Sequence, residues 1–268
     1  MDPILYFASL IITGITAGTA SGLFGVGGGF LMTPVQYWLY TTGGIDSTLA
    51  TRLAFGTSLA VMIPTMISGA AAHHKHGAVN WKAAVPMGCA AVFGGLAGGT
   101  LAAHLPGIVL RTFFAILIIV MAVRMVWHIR ACPVCEPRGS TGIYIVIGFF
   151  IGIISGIAGI GGGILLVPVL VILLGYSMHS AVGTSSACLI FSSAGAVTAY
   201  VINGLWVAGL PAYSIGYVDL VTFAILAATM IPLSQFGVRC AHACSGRNLQ
   251  IVFAGVLILI GGMMLVSG

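Results

Sequence analysis

Two short glycine runs are the part of this chain best equipped for chemistry: Gly25-Val-Gly27-Gly28-Gly29 and Gly159-Ile-Gly161-Gly162-Gly163. Glycine lets the main chain approach a ligand closely. Where such a run opens a helix, the first amides lack intrahelical partners and sit at the end that carries partial positive charge. That combination binds anions without a charged side chain. Ser21 and Ser155, each four residues ahead of its run, would add a hydroxyl donor. Neither run reads as a dinucleotide-binding loop, because that fingerprint follows a strand and precedes an acidic residue about 20 positions on. The competing role for the triplets is structural, letting two helices cross tightly.

The runs belong to a longer duplication. Gly14–Val35 and Gly148–Val169 align at a constant offset, with Ser21/Ser155, Gly22/Gly156 and Pro34/Pro168 among the identities. A glycine-broken apolar segment at matching places in two halves marks a transporter built from internal repeats. A second echo follows: Ala54-Phe-Gly56-Thr57-Ser58 matches Ala181-Val-Gly183-Thr184-Ser185. These hydroxyls would complete an anion shell without burying a full charge in lipid, or else bond helix to helix. Arg52 aligns with His179, two positions before each alanine. Arg52 would draw an anion to the outer mouth, with His179 in the related place inside; an arginine at a span's end also simply snorkels to the interface.

Other reactive residues read less sharply. His73-His74-Lys75-His76 lacks a nearby carboxylate and reads as a basic loop rather than a metal site. His104 and His242 end the fourth apolar run of each half and read as interfacial packing. Cys132-Pro-Val-Cys135 is an isolated CxxC, a thiol pair or half a zinc site with His128 as a possible third ligand. Asp219 aligns with Asn80, and capping a helix N-terminus is the role expected of it.

The elements that must position these residues are set by composition. Hydrophobic residues make up 59% of the 268, charged ones 5%, and mean hydropathy is +1.16. A soluble domain carries roughly 25% charged residues, so the solvent for most of this surface is lipid. The apolar runs lie at 4–24, 29–41, 52–73, 78–104 and 108–128, then 142–160, 163–175, 178–203, 217–238 and 248–267. The two runs after the glycine triplets are too short to cross ~30 Å of hydrocarbon. Each is expected to pair with the run before it as a hairpin that enters the membrane and returns. Three crossings per half remain, so the halves are inverted. The polar stretch 130–141 divides an N-terminal repeat (1–129) from a C-terminal one (142–268). Its side collects Lys75, Lys82, Arg124, Arg130, Arg138, Arg239 and Arg247 against Arg52 and Arg111 on the other. That bias predicts a cytoplasmic linker and both termini outside. The first run lacks the basic lead of a signal peptide and is expected to remain in the mature protein.

The stretches SGLFGVGGGFLMTP, SGIAGIGGGILLVP and HHKHGAVNWKAAVP resemble the sulfite exporter TauE/SafE family, also called the toluene sulfonate uptake permease superfamily. The resemblance covers essentially the whole chain. It implies a cytoplasmic-membrane transporter of sulfur-containing anions such as sulfite, sulfonates or sulfoacetate, and it favours export. The CPVC linker and the histidine-rich turn stand outside the family pattern.

The sequence therefore reads as an all-α polytopic membrane protein of two inverted repeats, each with about five hydrophobic segments and glycine-broken half-helices near the midplane. A secondary permease would hold a small oxyanion between the two hairpins and alternate access by rocking one half on the other. Its expected contacts are Ser21, Gly25, Gly27, Gly28, Gly29, Arg52, Thr57 and Ser58, with Ser155, Gly159, Gly161, Gly162, Gly163, His179, Thr184 and Ser185. No enzyme activity, cofactor, bound metal or nucleic-acid partner is expected. Two rivals are a divalent-metal permease using the histidines and Cys132/Cys135, and a membrane thiol-redox protein.

Overall fold

The structure is a computed structural model describing residues 3–127 and 139–266. Cys132, Cys135, Arg130, Arg138 and His128 lie outside the described residues. The first half forms α1 (Pro3–Phe24), α2 (Gly29–Thr42), α3 (Ser47–Lys75), α4 (Trp81–His104) and α5 (Gly107–Trp127). The second forms α6 (Thr141–Ala158), α7 (Gly163–Ile172), α8 (Met178–Gly204), α9 (Leu220–Ala243) and α10 (Gly246–Val266). Six of these, α1, α3, α4, α6, α8 and α9, are long and apolar enough to cross a membrane. The protein is an all-α polytopic membrane protein, and each helix falls on one of the apolar runs.

The glycine loops reverse the chain. Tyr6 near the start of α1 bonds Thr222 at the start of α9, whereas the Gly22 carbonyl near its end meets His73 in the last turn of α3. α2 then climbs back, so that Tyr37 reaches Ser47 and Tyr40 reaches Asp219. The first hairpin therefore enters from the face carrying the N-terminus and returns to it. α6 and α7 repeat this from the opposite face, which carries the linker: Tyr176, beyond α7, bonds both Tyr144 in the first turn of α6 and Asn80 at the start of α4. Inverted hairpins are the arrangement expected above, but they are deep. α1 has 22 residues, about 33 Å at 1.5 Å per residue, and nearly spans the protein before turning.

Packing interleaves the halves. α1 lies along α9 and α6 along α4, each pairing one half's first helix with the other's fourth. Both seams rest on glycines that let backbones touch, the means by which helices associate in lipid. A Cβ on Gly22 would fall 1.9 Å from the carbonyl oxygen of Ser234, and one on Gly98 would fall 2.1 Å from that of Ile153. α3 and α8, related by the duplication, pack on each other through the middle. A two-residue antiparallel ladder, β1 (Ser214–Ile215) with β2 (Val218–Asp219), leads into α9 and is not foreseen in the sequence. It seats Tyr217, which is 2% exposed, against Tyr200.

Overpacking a close-packed seam costs about 1–3 kcal/mol. Gly22→Val and Gly98→Val are each expected to lower the Tm of the purified protein in detergent. Gly69→Ala, whose new methyl would meet only Met66 at 3.7 Å, is expected to leave it within a degree or so of wild type.

Candidate functional site

Both glycine loops take the same backbone path. Gly25, Gly27 and Gly28 have φ of 65°, 82° and 71°, and Gly159, Gly161 and Gly162 have 66°, 68° and 81°. This left-handed region is open to glycine and strained for other residues. Gly28 caps α2 and Gly162 caps α7, in each case without a side-chain bond to the exposed amides. Leu31 and Met32 donate to the Gly28 carbonyl, and Leu165 and Leu166 donate to that of Gly162. Among the described residues, the amides of Val26–Phe30 and of Ile160–Ile164 have no main-chain partner. All ten of these residues are buried. Unpaired buried amides are rare in proteins, and here they occur twice, at helix N-termini.

The two N-termini meet. A Cβ on Gly29 would lie 3.1 Å from Cα of Ile160, and one on Gly163 would lie 2.4 Å from Cα of Val26. At these two positions glycine provides room for the opposite loop. Met62, in the middle of α3, fills the remaining space: its Cε would be 1.9 Å from a Cβ on Gly27 and 2.1 Å from one on Gly161. The loops therefore abut around one flexible thioether, in a closed arrangement.

The sequence-marked hydroxyls hold this frame. Ser185 donates to the Gly25 carbonyl at 2.9 Å, and Thr33 donates to Ser58 at 3.2 Å. Thr57 accepts from the Asp219 amide at 2.9 Å, and Thr184 accepts from the Asn80 amide at 3.0 Å. The last two bonds are one interaction seen twice, each linking one half's third helix to the residue that opens the fourth helix of the other half. Ser155 accepts from Ser192 at 3.0 Å, whereas Oγ of Ser21 is buried without a partner. Asp219 caps α9 as expected, accepting from Val221 N–H, and also from the Thr222 and Tyr40 hydroxyls.

Arg52 and His179 stand at opposite faces. Arg52 is partly buried at the terminal face, where it donates to the Leu105 carbonyl and the Tyr217 hydroxyl at 3.0 and 3.2 Å. Nε of this guanidinium has no partner. His179 lies at the linker face with Nε2 3.1 Å from the Ala241 carbonyl and 3.2 Å from that of Cys244. Among the described residues no group of three or more His, Cys, Asp or Glu has metal-holding geometry.

Several polar groups escape sequence reasoning. Gln36 is fully buried, and neither its amide nitrogen nor its oxygen has a partner. It shares the buried face of α2 with Gly29, Thr33 and Tyr40, spaced at i, i+4, i+7 and i+11. A polar stripe thus runs from the glycine loop to Asp219 at the terminal face. The matching face of α7 carries Gly163, Val167 and Leu170, so the stripe is not repeated. The duplication points to shared residues and hides Gln36 for that reason. Ser193 Oγ is also buried and unpartnered, 3.1 Å from where a Gly161 Cβ would stand. Arg111 in α5 donates to Tyr37 of α2 and covers its ring.

A family model described as sulfite exporter TauE/SafE matches residues 10–264. A probable membrane transporter protein of Methanocaldococcus jannaschii is 30% identical, over 98% of this chain and 96% of that protein. A probable membrane transporter protein of Haemophilus influenzae is 28% identical over 93% and 94%. One from Bacillus subtilis is 26% identical, covering 98% of each chain. No solved structure matches.

A buried amide without partners destabilises a fold by about 1–3 kcal/mol relative to an apolar side chain of similar shape. Gln36→Leu is therefore expected to raise the Tm of the purified protein in detergent, as thermal unfolding reads it.

Proposed function

This chain belongs to the sulfite exporter TauE/SafE family, and on that premise we propose that it is a secondary permease for a small sulfur-containing oxyanion, sulfite or an organosulfonate. The observation that carries this reading is the meeting of two half-helix N-termini whose buried amides lack main-chain partners. Two partial positive charges facing each other repel until an anion lies between them. The amides of Gly27, Gly28 and Gly29 and of Gly161, Gly162 and Gly163 are the donors. Gly25 and Gly159 set the turn, and Ser21 and Ser155 line it. Thr57, Ser58, Thr184 and Ser185 hold the loops at the right separation. Arg52 attracts the anion at the terminal mouth, and His179 stands at the linker mouth.

The passenger binds when Met62 withdraws, a small movement for an unbranched thioether. The stripe Thr33–Gln36–Tyr40 offers polar contacts between the loops and the terminal face. Because α1 packs on α9 and α6 on α4, the units that move combine helices from both halves. We place the protein in the cytoplasmic membrane with the linker inside and both termini outside, on the excess of lysine and arginine at the linker face. The resemblance to the exporter family favours outward transport, driven by an ion or anion gradient.

Flux into liposomes containing the purified protein tests this reading with sulfite, a sulfonate, sulfate and cobalt. Sulfite or the sulfonate is expected to cross well ahead of sulfate and cobalt. Gly28→Leu and Gly162→Leu place a side chain at φ 71° and 81°, a conformation costing about 1–2 kcal/mol for other residues, and each is expected to abolish flux. Undiminished sulfite flux in both variants overturns the assignment.

A further inference from the structure

Four histidines that are scattered in the sequence come together at the linker face. His73 and His76 end α3, His242 lies in the last turn of α9, and His179 lies in the first turn of α8. The His242 ring centroid is 4.2 Å from that of His76, 5.3 Å from His73 and 5.4 Å from His179. The cluster spans both halves of the duplication.

The hydrogen bonds fix where the protons sit. His73 is 1% exposed, and its Nε2 lies 3.1 Å from the Gly22 carbonyl oxygen. A carbonyl only accepts, so Nε2 carries the proton and Nδ1 is bare. Nδ1 lies 3.2 Å from Nε2 of His242, which must therefore donate. His179 is held the same way, its Nε2 facing two carbonyls. In the neutral cluster, Nδ1 of the half-buried His242 is left as a lone pair without a protein partner among the described residues. His76, stacked on it, is exposed. A cavity of about 130 Å³ lined by Lys75, His76, Gln235 and Arg239 adjoins this place.

We propose that His242 and His73 form the proton-binding site that couples transport to the pH gradient. This rests on the anion-permease reading and makes flux depend on the pH at the linker side. A proton from the linker side bonds to Nδ1 of His242. The Nε2–H bond of His242 then breaks as that proton passes to Nδ1 of His73. His242 is left neutral in its other tautomer and His73 becomes an imidazolium. The charge now rests on a buried ring bonded to Gly22, three residues ahead of Gly25. It adds a positive charge beside the loop that receives the anion, so proton and passenger favour each other's binding, and the effect is reciprocal.

The surroundings suit a site that loads and unloads. α3 and α9 both present their C-terminal turns to the cluster, and a helix C-terminus favours a cation. Opposing this are Lys75 on α3, Arg239 on α9, the other imidazoles, and Arg247, which follows the Gly246 that abuts His179. Cys240 and Cys244 are the remaining titratable groups at this end of α9. The acidic residues among those described, Asp46 and Asp219, both lie at the terminal face. With no carboxylate to trap it, the proton is held only while the anion is near.

The test uses the full protein in liposomes, with sulfite exchange measured at equal pH and sulfite flux measured under an imposed pH gradient with an internal pH indicator. Comparison with protein carrying His242→Gln removes passive movement through lipid. For the wild type, a gradient acid on the side that sulfite leaves is expected to speed sulfite flux roughly tenfold, in the range of typical coupling energies, with protons crossing alongside. His242→Gln is expected to keep exchange at equal pH and to lose both the acceleration and the proton movement. His73→Gln, whose amide still donates to Gly22 but cannot relay a proton, is the second variant should the first fail to fold. Gradient-driven flux and proton movement equal to wild type in a variant that exchanges sulfite overturns this proposal alone. Absence of sulfite exchange by the wild type overturns the permease reading, and this one with it.

Discussion

Main-chain amides cannot be left facing hydrocarbon, and everything in this fold follows from where ten of them are put. A helix satisfies its own backbone, but a break does not, so a break at membrane depth must be enclosed by protein. Here two breaks enclose each other. Each glycine loop forms part of the wall around the other, with α3 and α8 closing the sides. The hairpins must be deep for the loops to meet, and the meeting is possible only because Gly29 and Gly163 lack side chains. The inverted symmetry of the whole chain serves this one juxtaposition.

The two halves are alike where they enclose and unlike where they differ in chemistry. Thr57 and Thr184 do the same work at the two ends, yet one holds the amide of Asp219 and the other that of Asn80. α2 carries a polar stripe and α7 does not. The terminal face holds a buried carboxylate and two arginines, whereas the linker face holds a cluster of imidazoles. A symmetric pore would treat both directions alike. This protein presents hydroxyl and amide groups on one route and titratable nitrogen on the other.

The helices were legible in the sequence because lipid imposes long apolar runs, and the hairpins were legible because a run of 13 or so residues cannot cross. Repetition made Ser21, the glycines and the Gly-Thr-Ser pairs conspicuous. The same signal hid Gln36 and Ser193, which have no polar counterpart in the other half. The β1–β2 ladder was invisible because two-residue strands show no periodicity. In the sequence the histidines stand one by one, as loop, interface and mouth, because positions 73, 76, 179 and 242 are neighbours only after α8 and α9 have folded onto α3. Distance along the chain says nothing about that.

The interleaving of α1 with α9 and α6 with α4 has a consequence for how the protein is made. When the ribosome has delivered the first five helices, α1 and α4 lack these partners, and their glycine faces look onto lipid. α4 gains α6 as soon as the second half begins, but α1 cannot settle until synthesis is nearly complete, since α9 is the penultimate helix. The nascent N-terminal half is thus an unfinished clasp, and its first hairpin must be kept from wrong pairings by the insertion machinery until the matching strap arrives.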